Sequence, residues 1–229
     1  MTLACETCPV RDRAACSVLA EEDRAELSRI GTTRRLERGE SLFFAGDSSD
    51  SCATLVRGAL KVSSLDAEGT ERILALVHPA GFTGELFQPF THHDVTALTD
   101  SELCVFGRKD LEAALDRYPE LARALLRRSQ EDLFAARDLL ALTGKREVRA
   151  RLAGLILAMA RAASDSPCHP AERFELPLSR GEIAAMLGTT IETISRRMTE
   201  LERDEVIRRT GTRGIELADP ARLADLAQG

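Results

Sequence analysis

Cys5, Cys8 and Cys16 stand in a Cys-x2-Cys-x7-Cys array, with Pro9 just after the second cysteine. Thiolates are soft ligands that select zinc or iron–sulfur clusters. Residues 1–19 hold little apolar material to fold around. A metal therefore explains the crowded cysteines better than packing does; three ordinary thiols are the plainer alternative. Three local ligands leave one to find, and spacing alone does not choose between zinc and a cluster.

A second group of chemistry-bearing residues lies in the stretch 179–204. Arg196 can donate two bonds to a guanine, Glu192 can accept from a cytosine amino group, and Ser195 can bond or touch either. Thr190, Thr193 and Arg197 are types that hold phosphates, as are Arg208, Arg209 and Arg213 further on.

Those residues need a rigid frame, and the local pattern predicts one. Ser179 precedes Glu182 by three, so the two can form a capping box. Ile183, Ala184 and Leu187 share a helical face. Gly188 suits a left-handed stop, and Thr190 suits the N-cap of a second helix. Ile194, Met198 and Leu201 recur at four and three, which turns them to the core and leaves Glu192, Ser195 and Arg196 outward. The N-terminal end of such a helix is where base edges are met in a major groove. Residues 206–209 and 214–217 read as strands around Thr210-Gly211-Thr212-Arg213, a Gly-containing turn. Helix, helix and hairpin make a winged helix-turn-helix. An amphipathic helical hairpin with solvated charges is the plainer reading of 179–204 alone.

Length and charge bound the rest. A chain of 229 residues can hold two modest domains. Its net charge of −6 excludes a general polyanion binder, so any DNA contact must be local and salt-sensitive. The longest apolar run, 152–160, is too short to span a bilayer, and no apolar leader is evident. A soluble cytoplasmic protein with no membrane partner is expected. Six cysteines in that compartment point to metal or redox chemistry rather than a disulfide framework.

In chain order, residues 21–30 read as a short helix. Residues 36–108 read as short strands broken by turns: 41–44, 53–62 with a bend at Gly58, a hairpin of 60–65 with 72–77, and a last pair, 95–98 with 102–106. Cys104 lies in the last strand. Cys52 alternates with its own strand as a small core residue. Cys168 sits in a proline-containing loop at 164–173. His92-His93 is more simply solvated than metal-bound. No nucleophile–base pair stands out, so no enzyme is expected. From Asp110 the pattern is helical. Ala122, Leu126, Ser129, Leu133, Ala136 and Leu140 step by four and three, a heptad seam for a weak homodimer; a helix packed on its own roll is the alternative. The expected class is α+β: a cysteine-rich segment (1–19), an N-terminal β-roll sensor domain (20–109), a long dimerisation helix (110–143) and a C-terminal winged helix-turn-helix domain (144–229).

This order resembles the cyclic-AMP receptor protein / fumarate–nitrate reduction regulator superfamily along nearly the whole chain. Gly46-Asp47 followed by Gly58-Ala59-Leu60-Lys61-Val62 looks like its roll signature. Glu192-Thr193-Ile194-Ser195-Arg196 looks like the recognition motif of the oxygen-responsive fumarate–nitrate branch. The resemblance implies that Glu192, Ser195 and Arg196 read palindromic TTGAT-type half-sites in double-stranded promoter DNA, and that the bound dimer recruits RNA polymerase, mainly as an activator at low oxygen. It also implies a 4Fe–4S cluster held by Cys5, Cys8, Cys16 and Cys104, whose state controls dimerisation. Cyclic-nucleotide-binding members follow Gly-Glu-Leu with an arginine for the phosphate. Here Gly84-Glu85-Leu86 is followed by His92-His93-Asp94 and by no arginine before Arg108, so no cyclic nucleotide is expected. A structural zinc, a haem or nitric-oxide site, and an iron–sulfur electron-transfer protein are the alternatives.

Overall fold

The computed structural model describes residues 5–164 and 169–229. Cys168 lies outside the described residues. The chain divides into two compact units, one running to Asp66 and resuming at Leu74–Ala135, the other comprising Ala67–Ile73 and Ala136–Gly229.

The first unit opens with two 3-10 turns, Cys5–Thr7 and Ala15–Val18, and helix α1, Glu21–Ile30. Glu21, Glu22 and Asp23 in its first turn and Arg29 in its last suit the helix dipole. Eight strands follow: β1 (Gly31–Leu36), β2 (Ser41–Phe43), β3 (Ser51–Arg57), β4 (Leu60–Leu65), β5 (Glu71–Val77), β6 (Phe82–Thr83), β7 (Asp94–Ala97) and β8 (Ser101–Gly107). They form two four-stranded sheets, β1-β8-β3-β6 and β2-β7-β4-β5. Leu36, Leu42, Leu55, Leu60, Val95 and Leu103 are the larger side chains of one buried cluster between them.

Two expectations of the sequence reading are corrected here. The strand at 31–36 was not expected, because Thr32, Thr33, Arg34 and Arg35 give no apolar alternation. It nevertheless pairs antiparallel with β8 along its length, from Gly31–Phe106 to Leu36–Ser101. The strands at 95–98 and 102–106 do not pair with each other. β7 bonds β2 and β4, whereas β8 bonds β1 and β3. The chain crosses between sheets at 98–100, and β3 crosses to β4 beside it at Gly58. The two crossings are stitched together: Leu98 N–H donates to the Ala59 carbonyl at 2.8 Å, and Ala59 N–H donates to Thr99 Oγ1 at 3.0 Å. Gly58 has φ +95, and a Cβ there would stand 2.7 Å from the Asp100 carbonyl oxygen, so only glycine makes this crossing without strain.

Helices α2 (Arg108–Arg117) and α3 (Pro119–Thr143) follow. Leu111, Leu115, Tyr118, Leu121 and Leu125 pack with Phe106 and Cys52 in a second buried cluster. Cys52, fully buried, is the core residue its alternation predicts. Ala122 leans on this cluster, whereas Leu126, Leu133 and Leu140 are 65 %, 49 % and 73 % exposed. Ser129 and Ala136 are exposed as well.

In the second unit, α4 (Val148–Ala162) buries Leu152 and Ile156 completely. A short strand not expected from the sequence, β9 (Arg173–Glu175), starts where the expected loop at 164–173 ends; it pairs with β11 and makes the wing three-stranded, β10-β11-β9. α5 (Arg180–Leu187) starts with the expected capping box: Ser179 Oγ accepts from Glu182 N–H at 3.2 Å, and Glu182 accepts from Ser179 N–H. It stops at Gly188, φ 62. α6 (Ile191–Arg203) is capped by Thr190 and buries Ile194, Met198 and Leu201. β10 (Ile207–Thr210), β11 (Gly214–Leu217) and α7 (Pro220–Gln228) complete it. Arg149 donates to Asp204 at 2.6 Å, and Arg209 Nε donates to Glu202 at 2.8 Å. These bonds hold both carboxyls below their ordinary values of 3.8 and 4.5. No helix among the described residues is long and apolar enough to cross a membrane.

Ser179→Ala removes a cap and lowers unfolding free energy by about 1 kcal/mol in denaturant titration. Gly58→Ala costs more than a simple cap, because the native φ is incompatible with a side chain. The lowered carboxyls stabilise fully above about pH 5, and that share is lost as pH falls through their folded pKa values. Arg149→Met therefore flattens the fall in unfolding free energy between pH 6 and pH 3.

Candidate metal centre and nucleic-acid interface

The cysteine segment is a chain of reverse turns. Arg11 N–H donates to the Cys8 carbonyl at 3.1 Å, Ala14 N–H to Val10 at 2.9 Å, and Leu19 N–H to Cys16 at 3.2 Å. Contrary to the expectation of too little apolar material, Val10 and Ala14 are each 2 % exposed and pack on Val56 and Ala80 of the roll, and Leu19 joins the cluster under α2 and α3. The sequence hides this because the anchors are isolated residues between charges. They nail the segment down on either side of Cys16.

Cys104 arrives from the roll. It sits on β8 opposite Thr33 of β1 and Thr54 of β3. Leu103 next to it points into the cluster between the sheets, so Cys104 faces the other way, toward the segment. Cys5, Cys8, Cys16 and Cys104 all line one cavity of about 50 Å³. Leu27 of α1, Leu111 of α2 and Leu121 and Leu125 of α3 form much of its apolar wall. The Cys104 thiol is pushed up to about 12, first by burial and then by the neighbouring Cys8, Cys5 and Cys16. Cys5 and Cys16 are raised for the same reasons. A metal that takes thiolates would have to displace those protons.

Among the described residues no group of three or more His, Cys, Asp or Glu side chains is drawn together to hold one metal ion. The four cysteines nevertheless line one cavity, and four thiolates are a donor set that suits a 4Fe–4S cluster or a zinc ion. Cys52 belongs to the core, its thiol pushed up to about 12 mainly by burial. His92 is bonded to Glu85, whose carboxylate also accepts from His92 N–H at 2.7 Å. Asp94 accepts from Ala45 N–H at 2.9 Å.

On α6, Glu192 and Arg196 are exposed, and Ser195 and Thr193 are half-buried. Backbone N–H bonding at the helix start and the Thr190 hydroxyl hold the Glu192 carboxyl below the usual range, so it stays an acceptor. Thr190 Oγ1 accepts from Thr193 N–H at 3.3 Å, which fixes both threonines at the helix tip. Sequence reasoning missed Arg180: from the start of α5 it reaches across to donate to Ser195 Oγ at 3.1 Å. Its sole signal in the sequence is an arginine after the cap.

The other arginines divide. Arg197 donates twice to Glu200, at 2.7 and 2.9 Å. Arg208 bonds Glu216 at 2.8 Å, and Glu216 also faces Arg173 at 3.2 Å. Arg209 is held by Glu202. Arg213 stands in the wing turn, where its carbonyl accepts from Leu176 N–H at 2.9 Å. Carboxylates thus offset the charges of Arg197, Arg208 and Arg209 within the fold.

Residues 33–118 match the model of the cyclic nucleotide-binding domain, and residues 150–226 match that of the Crp-like helix-turn-helix domain. The chain is 33 % identical over 226 residues to the transcriptional activator protein FnrL of Cereibacter sphaeroides, covering 97 % of this chain and 91 % of that one. It is 26 % identical over 226 residues to the fumarate and nitrate reduction regulatory protein of Escherichia coli K12, covering 97 % and 90 %. Among solved structures, FixK2 from Bradyrhizobium japonicum superposes with a TM-score of 0.77 at 26 % identity, over 86 % of this chain and 97 % of that one. These relatives are regulators and not enzymes. With its roll and its winged helix both matched, the chain belongs to the Crp/Fnr family of DNA-binding transcription regulators.

Proposed function

We propose that this regulator senses oxygen through a 4Fe–4S cluster held by Cys5, Cys8, Cys16 and Cys104, and that the cluster controls pairing of two copies along α3 and hence promoter binding. The convergence of four cysteines, from two segments nearly ninety residues apart, on one cavity carries the reading. When bound, the cluster supplies an oxygen-labile cross-link between the N-terminal segment and β8.

The chain's own residues make that cross-link matter. Leu121 and Leu125 of α3 wall the cavity, and Arg128 donates to the Arg13 carbonyl at 3.1 Å. The segment therefore grips the same helix that carries the heptad positions Leu126, Ser129, Leu133, Ala136 and Leu140. A seam with one serine and one alanine among its five positions is weak, so a bias of a few kcal/mol from the segment is enough to shift the pairing. In the paired state two α6 helices lie one DNA turn apart. Glu192, Ser195 and Arg196 then read TTGAT-type half-sites in promoter DNA. Thr190 and Thr193 bond phosphates, with Arg213 foremost among the arginines and Arg197, Arg208 and Arg209 reduced by their carboxylates. The bound dimer recruits RNA polymerase, mainly as an activator at low oxygen. A cyclic nucleotide is not the signal in this reading: its phosphate would meet Asp94, and the stretch from Gly84 to Gly107 supplies no arginine to hold it.

Protein purified without oxygen is brown, carries about four irons per chain and bleaches in air, and Cys104→Ala loses the colour. A colourless protein with zinc sinks oxygen sensing while leaving the DNA-binding half intact. Arg196→Ala weakens binding by about 1–3 kcal/mol at one base pair per half-site and relaxes preference there. Arg213→Ala weakens binding alike on all sequences and reduces the salt slope by about one per protomer, whereas Arg208→Ala changes it less.

A further inference from the structure

Among the described residues, Arg24 is the only charged side chain that is buried, 9 % exposed. It rises from α1 into the wall of the cysteine cavity. Nε donates to the carbonyl of Cys16 at 3.3 Å, and Nη2 donates to those of Ser17 at 3.2 Å and Leu19 at 3.1 Å. The guanidinium thus closes the end of the 3-10 turn that carries Cys16 and ties it to α1. A planar fork of fixed donors holds these three carbonyls in one set geometry.

A buried cation is expensive unless its charge is met. Neutral carbonyls orient Arg24 without offsetting its charge; the thiols facing it offset the charge once they are thiolates. Arg24 lines the same cavity as Cys5, Cys8, Cys16 and Cys104.

We propose that Arg24 is a positioning residue of the metal centre: it locks the turn that presents Cys16 and sets a permanent positive charge in the wall of the cysteine cavity. This rests on the cluster reading above. The lock gives one ligand a fixed place before any iron arrives. The charge favours the more negative states of a thiolate-bound centre, which raises its reduction potential and opposes its oxidation. The two roles separate by substitution, since Arg24→Lys keeps the charge without the fork and Arg24→Gln keeps donors without the charge.

The test compares wild type, Arg24→Lys and Arg24→Gln, each prepared without oxygen. Three quantities are read: iron loss to a chelator, the midpoint potential, and alkylation of Cys16 by iodoacetamide in iron-free protein, located by peptide mass. Both variants are expected to lose iron about ten-fold faster, as when a residue that orients a metal ligand is removed. Arg24→Gln shifts the potential to more negative values and Arg24→Lys holds it. Cys16 is alkylated faster in both, while buried Cys52 stays protected and certifies an intact roll. Variants that match wild type in iron retention, potential and Cys16 alkylation overturn the proposal. So does faster iron loss with Cys16 alkylation and potential unchanged, which marks general stability only. A wild-type chain that takes up no iron sinks the cluster reading and the charge role with it; the Cys16 alkylation rates then decide the lock alone.

Discussion

β8 has no face to spare. Paired on both edges by β1 and β3, it turns Leu103 into the cluster between the sheets and Cys104 and Phe106 to the other side. That second side must be covered too, and helices and turns cover it rather than a sheet. α1, α2 and the first half of α3 cover most of it, and the cysteine segment covers the rest through Val10, Ala14 and Leu19. The cavity with its four sulfurs is what remains where these coverings meet. The position of the four-cysteine cavity thus follows from the need to bury both faces of one central strand.

The DNA-binding unit is under a different constraint. The chain is acidic overall, yet one of its surfaces must meet phosphates. Much of its arginine content is spent internally, on Glu200, Glu202, Asp204 and Glu216. Exposed pairs of this kind add little stability. Their larger effect is electrostatic: they keep the wing and the end of α6 from being broadly sticky for polyanions. In the proposed DNA complex the side chains at the tip of α6 and the wing-turn arginine then carry proportionately more of the recognition.

Much of this was legible in the residues themselves. The helix-turn-helix was readable to its caps, because Ser179, Glu182, Gly188 and Thr190 each have one obvious local use and because Ile194, Met198 and Leu201 repeat cleanly. The roll was readable as strands but not as sheets. A turn such as 98–100 looks alike whether the chain folds back on its neighbour or crosses to another sheet, and only the packing of Leu98 and Ala59 decides. β1 was invisible because an edge strand of Thr and Arg carries no apolar alternation, and β9 because three residues around one Phe are too short to read as a strand. The three clustered cysteines were plain. Cys104 as their companion came from a resemblance, since no local pattern links residues so far apart. Arg24 and Arg180 could not be read at all; each acts through a bond to an element other than its own.

Val10, Ala14 and Leu19 give the cysteine segment a seat that is independent of iron. In many small metal-binding domains the chain is unfolded until the metal arrives, so loading waits on a search through conformations. Here those three isolated apolar contacts with the roll and with α2 and α3 hold the turns in place, and none of the three residues is a proposed metal ligand. Under the cluster proposal, recovery after an oxidising episode becomes a matter of iron and sulfide supply, with little refolding to wait for, and the same chain is silenced and rearmed without new synthesis.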